Sequence, residues 1–171
     1  MAQLIVFDLD LTLWHCGPLL WCDQLMPPLG RTASGQIVAA CRTEVRLYPE
    51  VPELLAGLAA AGHSLALASR TSAPEIARRL LDLFGIAGHF PHQQIYPGDK
   101  SAHFQALQRE TGVSYADMIF FDDEPRNIES VARLGVAAHL VHHGMTRELL
   151  ETALNGDAQA MRPPRSKRRP S

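Results

Sequence analysis

Four short apolar runs punctuate the chain: Leu4-Ile5-Val6-Phe7, Ser64-Leu65-Ala66-Leu67-Ala68, Met118-Ile119-Phe120-Phe121 and Ala137-Ala138-His139-Leu140-Val141. Each is too short for a helix and continuous rather than alternating, the pattern of a parallel strand covered on both faces. Between them the period becomes helical. Residues 50–61 place Val51, Leu54, Leu55 and Leu58 at i, i+3, i+4 and i+7, with Gly62 where a C-terminal cap belongs. Residues 74–84 put Ile76, Leu80, Leu81 and Phe84 on one stripe behind Pro74 in the first turn. Phe104 and Leu107 mark a third helix ended by Gly112; Ile128, Val131, Ala132 and Leu134 mark a fourth ended by Gly135. Strands alternating with helices predict right-handed βαβ units. The expected fold class is α/β, a three-layer α/β/α sandwich around a central parallel sheet.

Residues 14–47 depart from this pattern. They hold both tryptophans with Pro18, Pro27, Pro28, Gly17, Gly30 and Gly35, and read as a flap or irregular hairpin inserted after the first strand, with a strand near Glu44–Leu47. Neither this segment nor residues 71–99 is long enough to build a separate cap domain with its own core. The expected organisation is one domain over 1–154 followed by a tail over 155–171.

Composition narrows the class. With 46% hydrophobic and 20% charged residues the balance is that of a soluble globular protein. No run approaches the roughly 18 apolar residues of a membrane span. Three cysteines, Cys16, Cys22 and Cys41, lack C-x-x-C spacing, and Met1-Ala2-Gln3 leads straight into a strand without a basic leader. Free thiols and a cytoplasmic location are expected. Net charge is −2, but five of the 16 basic residues fall in the last ten. Residues 1–161 therefore sum to −7, a body unsuited to nucleic acid, while the tail RPPRSKRRPS has too little apolar surface to fold by itself.

In a parallel α/β sheet ligands bind beyond the carboxyl ends of the strands. Asp8-Leu9-Asp10-Leu11-Thr12 follows the first strand, Ser69-Arg70-Thr71 the second and Asp122-Asp123-Glu124 the third, and Lys100 starts a helix after Tyr96-Pro97-Gly98-Asp99. Any one of these alone suits a cap, a turn or a solvated charge. Together they bring carboxylates, a hydroxyl and an ammonium to one edge. Four carboxylates gathered there repel one another unless a hard, oxygen-preferring cation such as Mg²⁺ intervenes. A magnesium ion, a lysine and a hydroxyl around a carboxylate form a site for phosphoryl transfer, in which the carboxylate attacks phosphorus and a second, protonated acid protonates the leaving oxygen.

FDLDLT, ASRT, the lysine of YPGDK and FFDDE resemble the four motifs of the haloacid dehalogenase superfamily. LYPEVPELL, ASRTS, QIYPGDK, HFQALQ, ETGV, FFDDEPRNI and RLGV are similar to its magnesium-dependent phosphatase family, from about Leu4 to Leu154. The resemblance implies Asp8 as nucleophile, forming an aspartyl-phosphate, and Asp10 as general acid and then base. It implies Mg²⁺ held by Asp8, the Asp10 carbonyl and Asp123 with Asp122 in support, and Ser69, Arg70 and Lys100 on the phosphate or substrate. Leu9 and Trp21 are further candidates for substrate contact. Because Asp10 is present, carbon–halogen cleavage is disfavoured. The implied substrates are aryl phosphates such as phosphotyrosine, or glycation-derived sugar phosphates, carried on a small molecule or a phosphoprotein. A phosphotransferase with an acceptor other than water, and a silent phosphate-binding protein of the same fold, are the alternatives. Three further features are read as structural: the histidines His139, His142 and His143, Trp14 and Trp21 as flap packing, and Cys16 and Cys22, which lack adjacent basic activation.

Overall fold

The computed structural model describes residues 3–156. Nine strands and five α-helices follow one another in the order β1 (Leu4–Phe7), β2 (Trp14–His15), β3 (Gly30–Arg31), β4 (Ile37–Val38), β5 (Glu44–Leu47), α1 (Val51–Ala60), β6 (Ser64–Ser69), α2 (Pro74–Leu83), β7 (His92–Ile95), α3 (Lys100–Thr111), β8 (Met118–Asp122), α4 (Pro125–Ala132), β9 (Ala137–Leu140) and α5 (Arg147–Leu154). Five strands form a parallel sheet in the order β7-β6-β1-β8-β9. β1 lies in the middle, pairing Leu4 through Phe7 with Ser64 through Leu67 on one side and with Met118 through Phe121 on the other.

The alternation of side chains along each strand builds the three layers. Ile5, Phe7, Leu65, Leu67, Ile119 and Phe121 face one side, where Leu54, Leu55 and Leu58 of α1, Leu80 and Leu81 of α2 and Leu150 of α5 cover them. Leu4, Val6, Ala66, Ala68, Met118 and Phe120 face the other, against Phe104 and Leu107 of α3 and Ile128 and Val131 of α4. Both faces are thus apolar, which is why these strands read as continuous runs rather than as alternating ones. The fold is the α/β sandwich expected from the sequence.

The elements without a sequence expectation are β7 and α5. The β7 residues His-Gln-Gln-Ile carry one apolar side chain, because this edge strand pairs with β6 alone and is only half covered. Residues 14–47 hold β2 to β5, which form a separate antiparallel sheet in the order β2-β5-β4-β3. The tail from residue 157 onward lies outside the described residues. No helix among the described residues is long and apolar enough to cross a membrane.

Two contacts hold loops next to the carboxyl edge of the sheet. Gly144, after β9, has φ +75°, and a Cβ there would overlap the ring of Tyr48. Gly144→Ala is therefore expected to lose about 1–3 kcal/mol by overpacking, beyond the left-handed strain it shares with Gly112→Ala. Gly112 has φ +71° and open space around its Cβ. Equal losses in urea denaturation would refute the packing explanation. Asp99 caps α3, its Oδ1 accepting from the Ser101 amide at 2.8 Å and from the Ser130 hydroxyl at 2.7 Å. Hydrogen bonding, first from Ser101 and then from Ser130, lowers its carboxyl from 3.8 to about 2. A depressed folded-state value means the ionised cap contributes fully above the ordinary value and fades as pH falls through the window between the two. The stability advantage of wild type over Asp99→Asn should be present at pH 6 and shrink between about pH 4 and 2; a difference constant over that range would contradict the assignment.

Candidate active site

The turn after β1 sets the geometry of the site. Thr12 and Leu13 donate their amides to the Leu9 carbonyl at 3.1 and 2.8 Å, Leu11 takes a left-handed φ of 60°, and its amide donates to the Trp14 carbonyl at 2.8 Å. This folds the chain back so that Trp14 lies beside Asp10. Asp8 and Asp10 are both nearly buried yet face the same cleft, while Leu9 between them is fully buried in the core. The Leu9 side chain therefore does not reach the cleft, which leaves only its main chain for any contact there.

Lys100, the first residue of α3, is 1% exposed. Its Nζ donates to Asp8 Oδ1 at 2.9 Å and to the Ala68 carbonyl, and it pairs with Asp122 Oδ2 at 3.0 Å. Three donors meet three acceptors, so the ammonium is saturated where water cannot reach it. Burial alone pushes the Lys100 ammonium down, but the charges of Asp8 and Asp122 outweigh it and the pKa is raised. The two carboxylates keep this lysine charged.

Asp122 is fully buried at the end of β8. Its Oδ1 accepts from the Glu124 amide at 2.7 Å, and its Oδ2 from Asn127 Nδ2 at 3.0 Å in addition to Lys100. One oxygen from each of Asp8, Asp122 and Asp123 lies within 4.8 Å of the others. Burial, and then repulsion from Asp122, hold Asp8 well above the ordinary carboxylate range, with Lys100 opposing. The same two causes push Asp123 up to about 6. Three carboxylates against one ammonium leave an excess of negative charge, and the donor set is all oxygen. These residues fit a hard divalent cation of the Mg²⁺ type.

Asp10 stands apart from that group. Its Oδ1 accepts from Trp14 Nε1 at 2.8 Å and from the Cys22 amide at 3.0 Å, with the Cys16 thiol at 3.8 Å. Burial raises its pKa, and the hydrogen bonds from Trp14 and Cys22 oppose the rise. Burial first, and then the Asp10 charge, push both Cys16 and Cys22 thiols up, so neither is a thiolate nucleophile. Trp14 does more than pack in the flap, its expected role. It is fully buried and stacked on Phe84 at 6.1 Å, and it is also a hydrogen-bond donor to an acid in the cleft.

The cleft, of about 200 Å³, is lined by Asp8, Asp10, Ser69, Arg70, Lys100, Asp123 and Trp21. Of the nine residues singled out from the sequence, only Leu9 and the buried Asp122 do not border it. Ser69 is buried at the end of β6, its Oγ accepting from the Thr71 amide at 3.3 Å. Arg70 reaches across to Asn127 Oδ1 at 3.3 Å and to Glu124 at 3.9 Å. Trp21, 45% exposed, forms part of the lip.

Sequence reasoning passed over Asn127, although FFDDEPRNI contains it. In the first turn of α4 it joins Arg70 to Asp122; Pro125 marks the helix start in the sequence, but nothing local shows that the Asn127 side chain meets the strand end. Asp23 and Arg126 also border the cleft, and nothing in their local sequence marks them. His139 lies in β9 stacked on Phe121, and the His142 and His143 rings are 6.5 Å apart. Among the described residues, none of the three joins a metal-ligand group.

Comparison with known proteins agrees with this arrangement. The acid phosphatase family matches residues 1–160. The chain is 44% identical over 165 residues to human magnesium-dependent phosphatase 1, spanning 96% of this chain and 92% of that protein. It is 35% identical over 144 residues to a HAD-like hydrolase superfamily protein of Schizosaccharomyces pombe, spanning 77% and 81%. A haloacid dehalogenase-like hydrolase from Streptococcus pneumoniae shares the fold at a TM-score of 0.60 and 14% identity, over 88% of this chain and 90% of that one. With β1, β6, α3 and β8 delivering their acids, hydroxyl and lysine to one cleft, the chain belongs to the magnesium-dependent phosphatases of the haloacid dehalogenase superfamily.

Proposed function

We propose that this chain is a phosphomonoesterase that works through an aspartyl-phosphate on Asp8. The observation that carries the reading is the convergence on one cleft of the Asp8–Asp122–Asp123 oxygens, the Lys100 ammonium 2.9 Å from Asp8, and Asp10 two residues on. Asp8 attacks phosphorus in line; the Asp8–phosphorus bond forms as the bond to the leaving oxygen breaks. Asp10 gives that oxygen a proton, then takes one from the water that hydrolyses the acyl phosphate. Its raised pKa, caused by burial, favours the protonated form that the first step requires. Ser69 holds a phosphoryl oxygen, Lys100 stabilises the charge of the phosphoryl group, and Arg70 and the Leu9 main chain are assigned to the substrate. Asp8, the Asp10 carbonyl and Asp123 would hold Mg²⁺ with Asp122 behind them, and the bound ion would supply positive charge against the transferring oxygens.

The lip supports one of the two substrate classes. Trp21 presents a flat, half-exposed aromatic face beside the anionic centre. That surface suits an aryl phosphate such as phosphotyrosine better than a hydrated sugar phosphate, because an aromatic pair adds about 0.5–1.5 kcal/mol. Hydrolysis of para-nitrophenyl phosphate should need Mg²⁺, stop with a chelator, and fall at least about a thousandfold in Asp8→Asn. Activity surviving that substitution would sink the nucleophile assignment. Trp21→Ala should raise KM for a phosphotyrosyl peptide about three- to tenfold and leave KM for a glycation-derived sugar phosphate within twofold of wild type. The reverse order would move the assignment to the sugar phosphate.

A further inference from the structure

Both N–H groups that meet the Asp10 carboxyl among the described residues meet the same oxygen. Trp14 Nε1 is 2.8 Å from Oδ1 and the Cys22 amide 3.0 Å, with the Cys16 thiol 3.8 Å from that oxygen and the Cys22 thiol also at the carboxyl. An oxygen that accepts two N–H groups has no room for a proton of its own, since that proton would point at the incoming hydrogens. A proton on this carboxyl is therefore confined to Oδ2.

We infer that Trp14 is a positioning residue for acid catalysis: its indole N–H, together with the Cys22 amide, turns the Asp10 carboxyl so that Oδ2 carries the proton toward the cleft. The inference rests on Asp10 being the general acid of the proposed reaction. Trp14 itself touches no substrate, being fully buried. Its ring is held by stacking on Phe84 at 6.1 Å, and its backbone by β2–β5 pairing opposite Leu47. The indole is thus fixed at both ends, and so is the oxygen it holds. As the bond from phosphorus to the leaving oxygen breaks and the bond to Asp8 forms, the Oδ2 proton passes to the leaving oxygen, giving the free alcohol and the Asp10 carboxylate. Without the indole N–H only the Cys22 amide still holds Oδ1 by an N–H bond, the carboxyl turns more easily, and the aligned population falls.

The test is leaving-group dependence, which a purely structural role would not change. In Mg²⁺-loaded enzyme, kcat/KM is measured for a series of phosphate esters from para-nitrophenyl phosphate to simple alkyl phosphates, in wild type, Trp14→Phe and Asp10→Asn. A good leaving group needs little protonation and a poor one needs much, up to about 10²–10⁴-fold in rate. Trp14→Phe should therefore lower kcat/KM for the alkyl esters at least about tenfold more than for para-nitrophenyl phosphate, a weaker form of the Asp10→Asn pattern. A uniform loss across the series in Trp14→Phe, alongside a graded loss in Asp10→Asn, overturns the inference and leaves Asp10 as the acid. A uniform loss in Asp10→Asn overturns the reading of Asp10 itself. If the phenylalanine variant does not fold, benzothienylalanine at position 14 keeps the bicyclic ring, lacks the N–H, and gives the same comparison.

Discussion

The buried ammonium of Lys100 is the contact on which the carboxyl edge of the sheet depends. It joins α3 to β1 through Asp8, to β6 through the Ala68 carbonyl and to β8 through Asp122, so one cation ties together the central strand and both its neighbours. Removing two buried carboxylates from water is costly, and removing the cation between them would leave both uncompensated. Even with Lys100 in place, Asp123 completes a cluster with more negative charge than one ammonium balances. The same excess that requires the lysine for folding makes the site a receptor for a divalent cation.

The second constraint is the turn from Leu9 to Trp14. Parallel strands direct the side chains at their ends alternately to the two faces, so Asp8 and Asp10 share a side while Leu9 enters the core. Only the reversal through Leu11 returns the flap to the site, where Trp14 and Cys22 meet Asp10. The two acids are thus held by different neighbours. Asp8 belongs to a network of charges and Asp10 to one of neutral donors. Burial raises both carboxyls, and a different set of neighbours opposes the rise at each: the Lys100 ammonium at Asp8, and the N–H groups of Trp14 and Cys22 at Asp10.

Much of this was legible in the chain. The three inner strands β6, β1 and β8 are buried on both faces and appear as unbroken apolar runs, as does the well-covered edge strand β9; α1 to α4 carry their stripes because each covers one face of that sheet. The edge strand β7 was not legible, because its half-covered residues His92, Gln93 and Gln94 have no apolar pattern. Helix α5 lacked a full stripe, its buried side chains being only Leu150 and Ala153 behind the cap from Thr146. The motif residues could be assembled from their positions at strand ends, since topology alone brings the ends of β1, β6 and β8 together.

By itself the sequence determined which chemical groups lie at the strand ends, and therefore the family and the cation class, because covalent spacing and hydrophobic period are local properties. Tertiary structure alone decided how those groups are held. Lys100 is 92 residues from Asp8, and Arg70 meets Asn127 across 57. Trp14 is only four residues from Asp10, yet the indole meets the acid because a left-handed turn folds it back. Side-chain orientation depends on packing against neighbours that are distant along the chain, and no pattern within a window of residues encodes it.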